Sequence, residues 1–243
     1  MSEYIQNITR PPPNLIYPIQ FAVSVMARTG QVAVVTVPIA VMILLHTVST
    51  VPSDTFLYSM ITKQMASLNG AFIKLAQWMS TRPDRLPDGL CRALSRLQSN
   101  APSHGVEYTR YVVNTKHPEL NDKLVISDQV IGSGTIGQVH LGEYNGKKVA
   151  VKVLHPDIES RVTVDLTIIG AMVRLLSFTT PFDLTDEYDR FKAMLKQQLD
   201  LRHEGRAMER FHRHFMYSKR VHFPRVYYTG RDVLVEELIE GTP

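Results

Sequence analysis

The glycine run Gly132-Ser133-Gly134-Thr135-Ile136-Gly137 lies between two stretches of strand-forming residues, Val125 to Ile131 before it and Val139 to Tyr144 after it. Glycines at this spacing also open the helix of a dinucleotide-binding fold, but there the run joins a strand to a helix. Here it joins strand to strand, so the two strands are antiparallel and a doubly wound parallel sheet is excluded. Asn145-Gly146 follows, a pair suited to the positive φ angles of a two-residue hairpin, and leads into Lys147 to Leu154 as a third strand. Val221 to Tyr228 and Val233 to Ile239 read as two more, giving a five-stranded antiparallel sheet. Helical periodicity covers Ile158 to Phe178 and, as one long helix, Thr185 to Ser218. The fold class is therefore α+β.

A glycine-rich turn between antiparallel strands, followed on the third strand by Val149-Ala150-Val151-Lys152, is the arrangement of the protein-kinase N-lobe. Missing side chains at Gly132, Gly134 and Gly137 let backbone N–H groups approach phosphate, so Gly132, Ser133, Gly134, Thr135 and Gly137 form the expected phosphate cradle. Val139 and Ala150 would wall an adenine. Lys152 would reach the α- and β-phosphates, a role that needs a long cationic stem in a cleft. Such a lysine requires a carboxylate to hold its rotamer and offset the burial of its charge, and the best interior acid of the long helix is Glu204. Val235 to Gly241 would be the hinge, with backbone groups at Glu237 and Ile239 taking the adenine edge. ATP or ADP is the expected cofactor. The plainer reading, a tight hairpin with a surface lysine, has to treat three concurring features as coincidence.

Charge divides the chain. Residues 1 to 60 carry only Glu3, Arg10, Arg28 and Asp54, and there is no charge at all from Thr29 to Ser53. Residues 31–52 are long enough to cross a hydrocarbon core of roughly 30 Å. A membrane span or inserted hairpin is one reading; a buried or surface-docked apolar helix is the other, supported by Pro38 and His46. No Arg-rich presequence is readable, and Arg10-Pro11-Pro12-Pro13 makes an extended spacer. Beyond it, Ser53 to Ser80, Asp88 to Gln98 and Ser103 to Thr115 read as helices ahead of the sheet. The expected divisions are 1–30, an N-terminal segment; 31–52, the apolar helix; 53–118, a helical extension; and 119–243, the sheet domain. One cysteine, Cys91, closes no disulfide within the chain and reads as a buried small hydrophobe. A net charge of +4 without a basic run gives no reason to expect nucleic acid.

Phe72-Ile-Lys74-Leu-Ala-Gln77-Trp-Met-Ser80-Thr-Arg-Pro-Asp84 resembles the K-x-G-Q motif and following S-T-R-x-D tail of the UbiB/ADCK (aarF-domain) atypical kinases, and Gln198-Leu-Asp200-Leu-Arg-His-Glu204-Gly is similar to that family's E-L-D-x-x-x-E-A helix. The long insertion between Lys152 and Glu204 fits as well. Within the family, the string around Lys74 and the glycine-type loop most resemble the mitochondrial aarF-domain-containing kinase 2 branch. The resemblance spans residues 55 to 243. It implies a protein-kinase-like fold in which Lys74 and Gln77 form a regulatory pair across the cleft. It implies Lys152 with Glu204 as the catalytic, nucleotide-ordering ion pair, ATPase rather than protein-kinase chemistry, and a role in coenzyme Q and lipid metabolism at a mitochondrial membrane. Ala76 stands for the motif glycine, and Gln198 for its usual first glutamate. The loop has glycines where much of the family has alanines.

The family's catalytic loop and Mg²⁺-holding aspartate follow the hinge, after which this sequence stops; Phe182-Asp183-Leu184 lies upstream and is not a copy of them. On that ground the C-lobe is expected to be absent, this chain alone is expected to be inactive, and Mg²⁺ is expected only with the missing part. The alternative function is a non-catalytic regulatory or scaffold module at a membrane. His203, His212 and His214 do not make a tetrahedral site, so no metal is expected. Arg202, Arg206, Arg210, Arg213, Lys219 and Arg220 make a basic face, either solvated or turned to anionic lipid.

Overall fold

The computed structural model describes residues 16–47, 53–97, 103–179 and 184–241. The Arg10–Pro13 spacer, residues 48–52 of the apolar stretch, Gln98, Phe182 and Asp183, and Thr242 and Pro243 lie outside them. In chain order the elements are helices α1 (Ile16–Thr47), α2 (Asp54–Leu68), α3 (Gly70–Met79), α4 (Asp88–Ser95) and α5 (Val106–Lys116), and a 3₁₀ turn at Pro118–Leu120. Then come strands β1 (Leu124–Ser133), β2 (Gly137–Tyr144) and β3 (Lys147–Leu154), helices α6 (Ile158–Thr179), α7 (Thr185–Gln198) and α8 (Leu201–Phe215), and strands β4 (Val226–Thr229) and β5 (Val233–Glu237). Two compact units result: residues 1–99 with 159–192, and residues 100–158 with 193–243. Helix α6 and the first part of α7 thus group with the N-terminal helices, whereas α5, the end of α7 and α8 group with the sheet.

In the helical unit, the apolar helix begins at Ile16, well before residue 31, and its candidate span is Pro18–Ile43, 26 residues of mean hydropathy 1.5. At 1.5 Å per residue it is about 39 Å long, enough by length and composition to cross a membrane. Arg28 lies inside this helix because its charge is satisfied there. Its Nε donates to Asp165 Oδ1 at 2.8 Å, its Nη2 donates to Leu68 O at 2.5 Å, and its guanidinium lies 5.6 Å from the Phe72 ring centre.

Asp165 is the hub of that clasp: its Oδ2 also accepts the Ala71 N–H at 3.1 Å. The expected continuous helix 53–80 breaks here. Asn69 (φ 53°) and Gly70 (φ 54°) take left-handed backbone, and a Cβ on Gly70 would stand 2.7 Å from Asp165 Oδ2. Farther on, the extra methyl of Ala76 is buried with Leu90 and Leu94, packed by Tyr58, Ile61, Met65 and Met79. Arg82, of the S-T-R-x-D tail, binds Glu187 of α7 through Nη1 (2.5 Å) and Nη2 (3.0 Å) and Asp84 through Nε (2.9 Å). Trp78 packs on Phe191 with ring centres 5.8 Å apart.

In the sheet unit the strand order is β1-β2-β3-β5-β4, and every neighbouring pair is antiparallel. Asn145 (φ 49°) and Gly146 (φ 78°) turn the β2–β3 hairpin as their sequence demands. Strand alternation splits the sheet into two faces. Val149, Val151, Val153, Val233 and Val235 point to one and are fully buried. Gln138 and His140 share it, and α5 reaches it through Thr109, whose Oγ1 lies 3.0 Å from His140 Nε2. The other face carries Val139, Ala150, Lys152, Leu234 and Glu236. The expected long helix 185–218 is two helices: Asp200 leaves helical geometry (φ −134°), and its side chain caps α8 by accepting the Arg202 N–H at 3.0 Å.

The clasp at Asp165 sets a stability test. Replacing Asp165, whose side chain is 5% exposed, by alanine strands the Arg28 guanidinium and the Ala71 N–H. We expect a loss of about 2–3 kcal/mol in the urea unfolding of the full chain, because breaking a desolvated ion pair leaves its partner uncompensated.

Candidate nucleotide site

The site is built on the sheet face that bears Lys152. Direct cross-strand pairing sets Val139 and Leu234 on either side of Lys152, and Leu141 and Glu236 on either side of Ala150. Lys152 Nζ donates to both oxygens of Glu204 in α8, at 2.7 and 2.8 Å, joining the expected pair across a sequence separation of 52 residues. Two details bring α8 that close. A Cβ on Gly205 would stand 2.8 Å from Thr229 Oγ1, so the helix rests almost directly on β4; and the Leu201 N–H donates to Arg231 O at 2.8 Å, tying the helix start to the β4–β5 turn.

The glycine loop joins β1 to β2 at the end of the sheet where β3 finishes, Gly137 pairing with Leu154. Gly134 N–H donates to Gly137 O at 2.9 Å, and His155 N–H to Ile136 O at 3.0 Å. His155 Nε2 lies 2.8 Å from Gly134 O. Each glycine has a different reason. A Cβ on Gly137 would meet the Val153 carbonyl oxygen at 2.7 Å, so the fold itself needs this glycine; a Cβ on Gly132 would meet nothing within 4 Å. Thr135 is buried and its Oγ1 has no hydrogen-bond partner among the described residues. Ser133 pairs with Gln138, on the side of the sheet away from Lys152, so any part it takes in a phosphate cradle falls to its backbone N–H.

At the hinge, Glu237 closes β5 and its N–H donates to Arg225 O at 2.8 Å, so that donor belongs to the sheet edge. Its carboxylate accepts from Arg225 N at 3.1 Å and meets His222 Nε2 at 3.1 Å. Ile239 is exposed and lies beyond the strand. Lys74 and Gln77 both stand half-buried on α3, and Gln77 Nε2 donates to Leu97 O at 3.1 Å within the helical unit. Among the described residues no cluster of three His, Cys, Asp or Glu could hold a metal, and His212 Nδ1 instead meets Phe223 O at 2.9 Å.

One residue of the face escaped the sequence reading. Glu236 stands opposite Ala150, and its Oε2 is buried without a hydrogen-bond partner among the described residues. Burial first, and then the Glu204 charge, push its carboxyl up to about 7, against the opposing pull of Lys152. The signal was its place, one residue before Glu237 on a strand that otherwise reads Val-Leu-Val.

A strand–glycine loop–strand with a lysine paired to a helix carboxylate defines a protein-kinase-like domain. The description "ABC1 atypical kinase-like domain" matches residues 96–243, and the chain belongs to that family. It is similar to the mitochondrial ABC1 family protein C21C3.03 of Schizosaccharomyces pombe, at 29% identity over 86% of this chain and 36% of that one. It is likewise similar to the probable serine/threonine-protein kinase abkC of Dictyostelium discoideum, at 33% identity over 71% of this chain and 26% of that one. Among solved structures it resembles the Mycobacterium tuberculosis protein Rv3197, solved in complex with erythromycin, with TM-score 0.52 and 25% identity over 73% of this chain and 47% of that one. The chain spans 36% or less of the length of these two curated relatives.

Glu236 gives the site a pH signature. Its folded value of about 7 exceeds the ordinary 4.5, so the folded protein binds this proton more tightly than the unfolded chain. The group's contribution is therefore favourable below about pH 4.5 and is lost as pH rises toward 7. We expect Glu236→Gln to raise stability by about 1–3 kcal/mol near pH 8 and to give no comparable gain near pH 4, measured by denaturant unfolding at the two pH values.

Proposed function

We propose that this chain binds an adenine nucleotide on the Lys152 face of its sheet, as the nucleotide-binding portion of an ABC1-family kinase-like ATPase. The observation that carries the reading is the Lys152–Glu204 pair, formed at 2.7 Å beside a glycine loop on one face. A surface lysine gains little from such a bond. Here the pair holds a cation on an otherwise apolar wall of Val139, Ala150 and Leu234, which suits it to orient phosphates while the wall covers a base. Gly132 fits the same ligand. Nothing in the protein's own packing asks for a glycine there, whereas a phosphate drawn onto the backbone would.

In this reading the loop N–H groups and Lys152 hold the phosphates, Glu204 fixes the lysine rotamer, and the hinge backbone at 237–239 takes the base edge. The nucleotide supplies the phosphoryl group for whatever transfer or hydrolysis the whole protein performs. For the whole protein we propose ATP-linked chemistry in coenzyme Q or lipid metabolism at a mitochondrial membrane, with α1 as the membrane contact. The mitochondrial names of relatives from two yeasts support that placement, and the apolar length of α1 supports the contact.

Calorimetric titration of the full chain with ATP and with ADP tests the nucleotide reading. Lys152→Ala should weaken binding by about tenfold or more, the worth of a charge-assisted contact to phosphate. Gly132→Ala should weaken it while leaving the unfolding midpoint within about 0.5 kcal/mol of the parent. No binding by the parent chain, or equal binding by all three proteins, would overturn the reading.

A further inference from the structure

We infer that Glu236 selects the base: its carboxylate, set in the wall beside Ala150, accepts a hydrogen bond from the exocyclic amine of adenine and turns away bases that carry a carbonyl at that position. The inference rests on the nucleotide reading and adds to it the group that decides which nucleotide enters.

Placement comes first. On β5, Leu234 and Glu236 point to the same face as Lys152 and Ala150, because each is the direct antiparallel partner of one of them. Side chains so paired have Cβ atoms about 5 Å apart, so the Glu236 carboxyl lies beside the small Ala150 side chain. On the other side of Ala150 stands Leu141, with Val139 next along β2. Glu236 is therefore the one ionisable group on the apolar part of the wall, and Glu237, the first hinge residue, follows it directly.

Its bonding state comes next. Oε2 is buried and makes no hydrogen bond among the described residues, although a buried acceptor without a donor is costly and uncommon. Lys152 does not fill the role: its Nζ donates to both oxygens of Glu204, and Glu236 Oε2 is left without a partner among the described residues. What Glu236 lacks is a donor, and because the residue is only half-buried its carboxyl can turn to meet one brought onto this face.

The chemistry then separates the bases. An exocyclic amine has two hydrogens, so adenine can give one to the hinge backbone and one to Glu236. Guanine presents a carbonyl oxygen at the corresponding atom, and two acceptors facing each other in a desolvated pocket repel. Sites that hydrogen-bond a ligand donor discriminate strongly against analogues lacking it, because the site's own group is left unpaired. Raised as it is by burial, the Glu236 carboxyl is ionised near pH 8, where it acts as an acceptor only.

The test is the ratio of ATP to GTP affinity for the full chain near pH 8, by calorimetry, in the parent, in Glu236→Leu and in Glu236→Gln. The parent should prefer ATP by about 10- to 100-fold, the range of a hydrogen bond to a charged group. Leucine removes the acceptor, and the amide can turn its N–H to a carbonyl, so both variants should bring the ratio to within about threefold, leucine chiefly by weakening ATP. Unfolding midpoints of both variants at or above the parent's would show that the change is local. A parent that binds both nucleotides with an ATP preference unchanged in the two variants would overturn this inference and leave the nucleotide site standing; so would a parent with no preference. A parent that binds neither would overturn the nucleotide reading itself, and this inference with it.

Discussion

Lys152 reaches Glu204 only because β3 and α8 are fixed relative to each other by contacts that involve neither charge. Asp200 caps α8 and so decides where the helix begins, which sets Glu204 in its first turn. The Leu201 N–H bond to Arg231 anchors that first turn to the β4–β5 connection. Gly205, one residue past Glu204, lets the helix descend until its backbone nearly touches Thr229, and the same missing side chain leaves room for Leu234. Leu234 is also the direct strand partner of Lys152. One leucine thus packs under the helix that carries the acid and stands beside the lysine that the acid holds. The pair is short because the packing has already paid the positional entropy that an exposed lysine and glutamate would lose on meeting.

Local chemistry made much of the sheet legible. The Asn145-Gly146 turn and the limits of β3 agree with the sequence reading residue for residue, since a type I′ turn fixes register on both sides. The misreadings fall where a polar residue interrupts a pattern whose apolar period continues. Helical spacing runs unbroken through Leu199 and Leu201, yet the helix ends between them because Asp200 serves better as a cap. In the same way Asn69-Gly70, a plain turn signal, was hidden by the apolar stripe on either side of it. β4 starts at Val226 and not at Val221, and Pro224 explains why: it has no N–H to give a ladder. The start of α1 could not be read at all, because the ion pair that admits Arg28 to an apolar helix is made with Asp165, 137 residues away. Lys152 and Glu204, 52 residues apart, were nevertheless predictable as a pair, since a half-buried cation calls for an anion and the helix offered a good one. Glu236 was not, because no rule of periodicity calls for a carboxylate in a buried strand.

Charge at the site is accordingly lopsided: one lysine faces two carboxylates. Glu204 takes the hydrogen bonds and Glu236 is left with burial and repulsion, which is why its proton is held so firmly. A hydrophobic residue at position 236 would cost the fold nothing and would relieve that strain. Burial and electrostatics conflict at Glu236, and a conflict of that kind is a physical mark of a candidate functional position.

The glycine loop is held in a complementary way, from the opposite face. Gly134 O can only accept, so His155 Nε2 must carry the proton of their 2.8 Å contact. His155 Nδ1 lies 2.8 Å from His104 Nδ1, and His104 Nε2 lies 2.9 Å from Thr109 Oγ1, so the contact continues through both rings to α5. Burial, and then the neighbouring His155 and His140, hold the His104 imidazole down to about 4, so His104 stays neutral across the physiological range. Gln138 locks the far end by bonding both the N–H and the carbonyl of His104, at 2.9 and 3.0 Å. The carbonyl of Gly134 is thereby turned back into the protein. With its acceptor bonded to His155 and its own N–H to Gly137 O, Gly134 is held on both sides, so the loop keeps its shape without a ligand and would lose little freedom in meeting one.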